Sequence, residues 1–158
     1  DPDAENVMDR YRLRWEDTVY EPGEVRAVAY KDGVVLGEAI VQTTGDAEAI
    51  RLYPDRVEIL ADGDDLSFVV VEAVDSEGRV NPWATDTIRF SVDGPAEIVG
   101  VANGDHHFPH EFVAEHVPLF YGKAVVVLRS IANEPGSITL RATSADLKSA
   151  EVKLRSEG

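Results

Sequence analysis

Apolar and polar residues alternate with a period of two through most of the chain, which predicts strands and not helices. Tyr11, Leu13 and Trp15 alternate with Arg12, Arg14 and Glu16, a first strand. The turn Glu21-Pro22-Gly23 comes next, then Val25, Ala27 and Ala29 alternate with Arg26, Val28 and Tyr30 as a second. Lys31-Asp32-Gly33 is a hairpin signal, because Asp and Gly accept the positive φ of a tight two-residue turn. It leads into a third strand, Val34 to Gln42. Three strands form one small sheet that cannot bury both faces unaided. Either it packs on the strands after residue 45, or its partner strands lie outside these residues.

Thr43-Thr44-Gly45-Asp46 reads as a boundary, so residues 1–45 and 46–158 are expected to form separate modules. Beyond it lie about seven strands at the spacing of a β-sandwich. They begin with Ile50 to Tyr53, which continues past Pro54-Asp55 as Val57 to Leu60, and with the long Leu66 to Val74. Thr85 to Val92, Ala96 to Val101, Ala124 to Arg129 and Ser137 to Thr143 come next, and the strand around Ala150, Val152 and Leu154 is last. Phe68 to Val71 is continuously apolar, which predicts burial on both faces, and Ala124 to Arg129 reads as another buried strand. His110 to Phe120 is the one helical candidate, limited by Pro118 to a turn or two. The expected fold is all-β: an immunoglobulin-like Greek-key β-sandwich over residues 46–158, preceded by the C-terminal strands of a partial immunoglobulin-like module over 1–45.

The stretch from Phe90 to Phe112 is the most unevenly built. It starts as a strand and turns at Asp93-Gly94-Pro95. After a short apolar run it ends in Asn103-Gly104-Asp105, a tight-turn signal. A loop rich in histidine and aromatic residues succeeds it, and a special contact is expected there.

Composition narrows the partners. Of 158 residues, thirty are acidic and fifteen basic, a formal charge of -15. Such a surface repels nucleic-acid phosphates and anionic membranes and tolerates neutral ligands such as sugars. The absence of cysteine leaves no role for disulfides and no redox clue to compartment. The sequence has no apolar run long enough to span a bilayer and no basic-plus-apolar signal segment. It opens on Asp1 with no initiator Met, which fits a piece of a longer protein.

All four histidines, His106, His107, His110 and His116, fall among Asp105, Glu111 and Glu115. Histidine and carboxylate suit zinc, but the spacing fits no standard ligand pattern, and Pro109 breaks the helix that a His-Glu-x-x-His site needs. A surface loop is the commoner reading, and no metal or cofactor is expected. Asp62-Gly63-Asp64-Asp65 lacks the rest of a calcium-binding loop and reads as a solvated turn. Among thirty acids, chance pairs are certain, so a carboxylate pair in the sequence says little about glycoside hydrolysis. Trp15, Trp83, Tyr53 and Tyr121 offer a sugar-stacking platform, although half-buried aromatics in a sandwich are commoner.

A family resemblance runs along nearly the whole chain. Arg12-Leu13-Arg14-Trp15 and Val19 to Tyr30, including Glu21-Pro22-Gly23-Glu24, resemble a β-sandwich module that lies after the catalytic barrel in bacterial β-galactosidases of glycoside hydrolase family two. Ile50-Arg51-Leu52, Ala61 to Leu66, Val74 to Gly78, Asn103-Gly104-Asp105 and Phe120 to Ala124 resemble a second module, in the same order.

The resemblance implies a parent enzyme that cleaves terminal β-galactosides or related β-glycosides with retention. Its two catalytic glutamates belong to the barrel, and no position here matches either. The chain is therefore expected to be a non-catalytic packing or substrate-shaping region. Its partners would be the barrel and other modules of the parent, with a β-galactoside as a further candidate. Trp83, Asn103, Asp105, His107, Phe108 and Phe112 are the candidate carbohydrate or interdomain contacts. An independent carbohydrate-binding module and an extracellular adhesion-type domain are the alternatives. A periplasmic or extracellular parent fits the family, with no localising signal in these residues.

Overall fold

The computed structural model describes residues 5–7, 15, 17–107 and 111–158. The chain divides into two compact units, Asp1–Thr43 and Thr44–Gly158. In the first, β1 (Glu24–Lys31) and β2 (Val34–Gln42) form a two-stranded antiparallel sheet. Asp32 and Gly33 take φ of 51° and 77°, the two left-handed positions of the expected hairpin turn. Thr43 closes the open end: its N–H donates to the Gly23 carbonyl at 2.8 Å, and its hydroxyl accepts the Gly23 N–H at 3.0 Å. Of the strand expected at residues 11–16, only Trp15 is described, and it is exposed; the others lie outside the described residues.

The register makes this hairpin two-faced. Val25 pairs with Val41, Ala27 with Ala39 and Ala29 with Gly37, so one face is apolar. The other carries Glu24 opposite Gln42, hydrogen-bonded at 3.1 Å, and an Arg26–Glu38 ion pair at 3.1 Å. Every residue of β1 and β2 except half-buried Val28 is exposed.

Among the described residues, the second unit is a sandwich of nine strands. One sheet has the order β3 (Ala49–Pro54), β5 (Leu66–Val74), β9 (Lys123–Ser130), β7 (Ala96–Ala102). The other has the order β4 (Glu58–Leu60), β11 (Ala150–Glu157), β10 (Gly136–Thr143), β6 (Thr87–Asp93), β8 (His116–Pro118). This is the constant-type immunoglobulin arrangement: β3, β5, β9 and β7 take the A, B, E and D positions, while β6, β10 and β11 take C, F and G. The chain crosses between sheets after each strand from β3 to β9, and only β10 and β11 follow one another within a sheet. β4 pairs in parallel with β11, through Arg155↔Glu58 to Glu157↔Leu60.

The core lies between the sheets, where alternate residues of each strand point inward. Val69, Val71, Val126 and Leu128 from the first sheet and Ile88, Ile138 and Leu140 from the second are fully buried. Each such side chain contributes roughly 1.5–3 kcal/mol by leaving water.

Three expectations are corrected. Phe68 and Val70 are exposed, so β5 is buried on one face only, and β9 likewise leaves Val125 and Val127 half-buried. A continuous apolar run marks both faces as apolar; it does not say that both are covered. Among the described residues nine strands form where about seven are expected, and one of them, β8, falls in the stretch with the helical candidate. Arg89↔His116 and Thr87↔Pro118 attach it to β6, with Pro118 at the end of an edge strand, where a missing N–H costs little.

The β6–β7 crossover fits tightly. Gly94 has φ of 101°, and a Cβ there would lie 2.1 Å from the Ser137 carbonyl oxygen of β10. At Gly104, with φ of 83°, a Cβ would meet nothing within 4 Å. Gly104→Ala should therefore cost only its backbone strain, about 1 kcal/mol, whereas Gly94→Ala should cost about 3 kcal/mol or more because strain and backbone overlap add. Urea unfolding of both variants checks this ordering; equal losses would contradict it.

Candidate functional site

The loops that carry the sequence-predicted contacts gather at one end of the sandwich. Asn103, just past β7, donates from Nδ2 to the Pro118 carbonyl at 3.0 Å and accepts the Asp105 N–H on Oδ1 at 2.9 Å. Asp105 repeats the device, accepting the His107 N–H at 2.9 Å. These two side-chain turns, with Gly104 in the left-handed region, give the sharp bend expected of Asn103-Gly104. Asp105 is half-buried, while His106 and His107 are exposed with ring centroids 3.8 Å apart. One ligand atom from each of Asp105, His106 and His107 lies within 4.8 Å of the others, close enough to share a cation. These are consecutive residues on an exposed turn, and the Asp105 oxygen nearest the His107 Nδ1 (3.7 Å) already accepts the His107 N–H. Phe112 is exposed, and its carbonyl accepts the Val101 N–H at 2.7 Å, which ties this part of the loop to the edge of β7. Phe108 and His110 lie outside the described residues.

Trp83 is presented by a second, more heavily bonded loop. Its N–H donates to Asn81 Oδ1 at 2.8 Å, and the same Asn81 donates from Nδ2 to the Gly45 carbonyl at 2.8 Å. The Gly45 N–H in turn donates to Asp75 Oδ2 at 2.9 Å. Asp75 is buried and also accepts the Glu77 and Arg79 N–H groups and Arg79 Nε at 2.9–3.0 Å. The Gly45 hydrogen bond, then those from Arg79 and Glu77, hold its carboxyl far below the usual carboxylate range. The segment entering the sandwich and the β5–β6 loop are thus locked together around two buried polar side chains. Gly122 packs so closely that a Cβ there would lie 2.1 Å from the Asn81 carbonyl oxygen, and its φ is 71°. On top of this frame stand Trp83, 83 % exposed, and Tyr121, 65 % exposed with φ of 49°.

The two loops share an end through β8: Asn103 bonds Pro118, the Leu119 N–H donates to the Asp86 carbonyl at 3.0 Å, and the Gly122 N–H to Ala84 at 3.2 Å. Tyr53, grouped with them in the sequence as a stacking candidate, stands instead on the outer face of the first sheet, opposite Val70. Sequence reasoning missed the framing roles of Asp75 and Asn81. An Asp opening Asp75-Ser76-Glu77-Gly78 signals a turn, but nothing local announces that its carboxylate also reaches back to Gly45.

Other carboxylates are occupied structurally. Asp62 Oδ1 accepts the Asp64 and Asp65 N–H groups at 2.9 and 2.8 Å, which lowers its pKa and makes the solvated turn expected there. Burial works against the charge of Glu72, but Lys123 and Arg51 outweigh it and keep its pKa low. A groove of about 500 Å³ beside β6 and β7 is lined by Phe90, Val92, Ala96, Ile98 and neighbouring residues, with Glu97 and Glu115 as its ionisable groups.

An immunoglobulin-type sandwich with loops and aromatics gathered at one end defines the class of fold, and comparison with known proteins narrows the family. The family described as glycoside hydrolase family 2 C-terminal domain 5 matches residues 50–153, and a domain of unknown function, DUF4982, matches residues 3–37. The chain belongs to the glycoside hydrolase family 2 C-terminal domain 5 family. It is 38 % identical over 150 residues to "Beta-galactosidase BoGH2A" of Bacteroides ovatus, covering 95 % of this chain and 17 % of that protein. A "Beta-glucuronidase" of Formosa agariphila is 28 % identical over 153 residues, 96 % of this chain and 15 % of that one. Among solved structures, a glycosyl hydrolase family 2 member from Bacteroides cellulosilyticus superimposes with a TM-score of 0.85 at 35 % identity, over 89 % of this chain and 18 % of that one. The D00-D0 domain of intimin shares the fold, with a TM-score of 0.53 at 17 % identity. The chain thus spans about a sixth of the length of the curated relatives it matches.

The Asp75 frame carries a pH signature. Its folded pKa is depressed, so its contribution is full above the unfolded value of about 3.9 and is lost as pH falls from there toward the folded pKa. Asp75→Asn should lower the melting temperature at pH 7, and the gap to the unmodified chain should narrow as pH drops below about 4. A gap that stays constant from about pH 7 to about pH 2 would contradict the role given to the carboxylate.

Proposed function

We propose that the chain is a non-catalytic C-terminal region of a larger family-two glycoside hydrolase whose parent cleaves terminal β-galactosides, and that it serves in packing or in shaping access to substrate. The observation that carries this reading is the match to a β-galactosidase along 95 % of this chain but only 17 % of that protein. The remainder of such a protein has room for a catalytic barrel, and no residue here matches the family's catalytic glutamates. Retaining hydrolysis needs two carboxyl groups about 5 Å apart, one as acid and one as nucleophile.

On the same reading, residues 1–45 are the last strands of an immunoglobulin-like module and residues 46–158 form a complete one. The exposed apolar face of the hairpin, with Val25, Ala27, Ala29, Ala39 and Val41, supports this, since such a face requires a covering sheet. Asn103, Asp105, His107, Phe108 and Phe112 form a contact surface toward the rest of the parent.

A second reading, an independent carbohydrate-binding module, is favoured by one feature: Trp83 and Tyr121, both exposed, on hydrogen-bonded loops at the same end. Exposed aromatic faces suit sugar rings, and the acidic surface does not repel a neutral glycan.

The rigorously purified chain should not hydrolyse chromogenic β-galactosides or β-glucuronides and should bind nothing on a glycan array. Turnover abolished by changing an acid within residues 1–158 would overturn the first reading. Glycan binding lost in Trp83→Ala would establish the second.

A further inference from the structure

The outer face of the β3-β5-β9-β7 sheet combines an apolar centre with charges paired at its rims. One row across the sheet runs Tyr53, Val70, Val125, Ala102, and the next runs Phe68, Val127, Gly100. Tyr53 is 68 %, Phe68 44 % and Val70 36 % exposed. The backbone of Phe112 borders this surface at the β7 edge, for a Cβ on Gly100 would lie 3.8 Å from the Phe112 carbonyl oxygen. At one rim Glu72 is shared by Arg51 at 2.6 Å and Lys123 at 2.9 Å. At the other, Glu97 pairs with Arg129 at 2.5 Å. An apolar centre inside a satisfied polar rim is the anatomy of an interface. On a chain of formal charge -15, this band has its acids neutralised in place.

Size and charge select the occupant. With strands about 4.8 Å apart and like-facing rows about 7 Å apart, two rows on four strands cover roughly 300 Å². A stable complex between separate molecules needs about 800 Å² from each partner. Two copies would also bring together two strongly acidic chains. A tethered partner needs less, because linkage supplies an effective concentration in the millimolar range, and interfaces between modules of one chain start near about 600 Å² in total. We infer that this face, centred on Phe68 and Val70, docks a module of the parent polypeptide outside residues 1–158, through an apolar surface with a hydrogen-bonding rim. The inference rests on the proposed function, which supplies the parent.

The test is carbene footprinting of the full-length parent and of the 158-residue chain at equal concentration, read by mass spectrometry at Tyr53, Phe68 and Val70. Labelling should fall at least about fivefold in the parent. Val70→Glu should restore it there while changing the melting temperature of the 158-residue chain little, since Val70 faces outward. Equal labelling in both forms overturns the inference. If protection appears elsewhere in residues 44–158 but not on this face, the inference fails and the accessory-region reading stands; no protection anywhere in those residues defeats both. A 158-residue chain that sediments as a dimer and is made monomeric by Val70→Glu assigns the face to a second copy and overturns the inference.

Discussion

The core of residues 44–158 is filled from two directions. Val69, Val71, Val126 and Leu128 of one sheet meet Ile88, Ile138, Leu140 and Leu154 of the other, all but fully removed from water. The remaining features serve that contact. Gly94 lets the chain cross between sheets against the β10 backbone, where any side chain would collide with Ser137. Asp75 and Asn81 fasten the entering segment at Gly45 to the β5–β6 loop, so β3 starts in register against Val74. Ser156 does the same at the opposite end of the sandwich, donating to the Glu134 carbonyl at 2.9 Å and accepting the Gly136 N–H at 3.0 Å. Buried polar groups in this fold are anchors for turns, each with its partners satisfied.

A strand of period two has two faces, and a sandwich covers only one of them. That constraint separates the legible part of the chain from the rest. Alternation locates β1, β2, β5, β6, β7, β9, β10 and β11 to within a residue or two, because inward Val, Ile and Leu must recur at every second position. Lys31-Asp32-Gly33 and Asn103-Gly104 mark their turns because few residues accept positive φ. β8 escapes because three residues cannot show a period, and His116 and Pro118 are poor strand formers. Its pairing comes from β6, a partner nearly thirty residues earlier.

The Phe68–Val71 run, Phe-Val-Val-Val, is informative in a different sense. Its outward residues Phe68 and Val70 are apolar yet open to solvent, and Val125 and Val127 beside them are half-buried. The sequence signal concerns the preference of both faces, and residues 44–158 satisfy one. The candidate contacts divide the same way. Asn103 and Asp105 are readable as turn formers, and their side chains do form the turn. Trp83 is readable as an unusual aromatic, but the frame that displays it depends on Asp75 and Asn81 reaching Gly45, 30 and 36 residues away in sequence. Long-range polar contacts of this kind leave no periodic trace.

The central claim is that the sandwich of residues 44–158 covers the inner faces of its two sheets, whereas the apolar face of the β1–β2 hairpin is exposed along its length. Hydrogen exchange of the 158-residue chain, resolved by segment, tests this most directly. Amides of Val69 to Val71, Val126 to Leu128 and Ile138 to Leu140 should exchange only through global unfolding, while those of Val25 to Tyr30 and Leu36 to Val41 should exchange at least about 100-fold faster. Hairpin amides protected as strongly as those of the sandwich core would contradict the account.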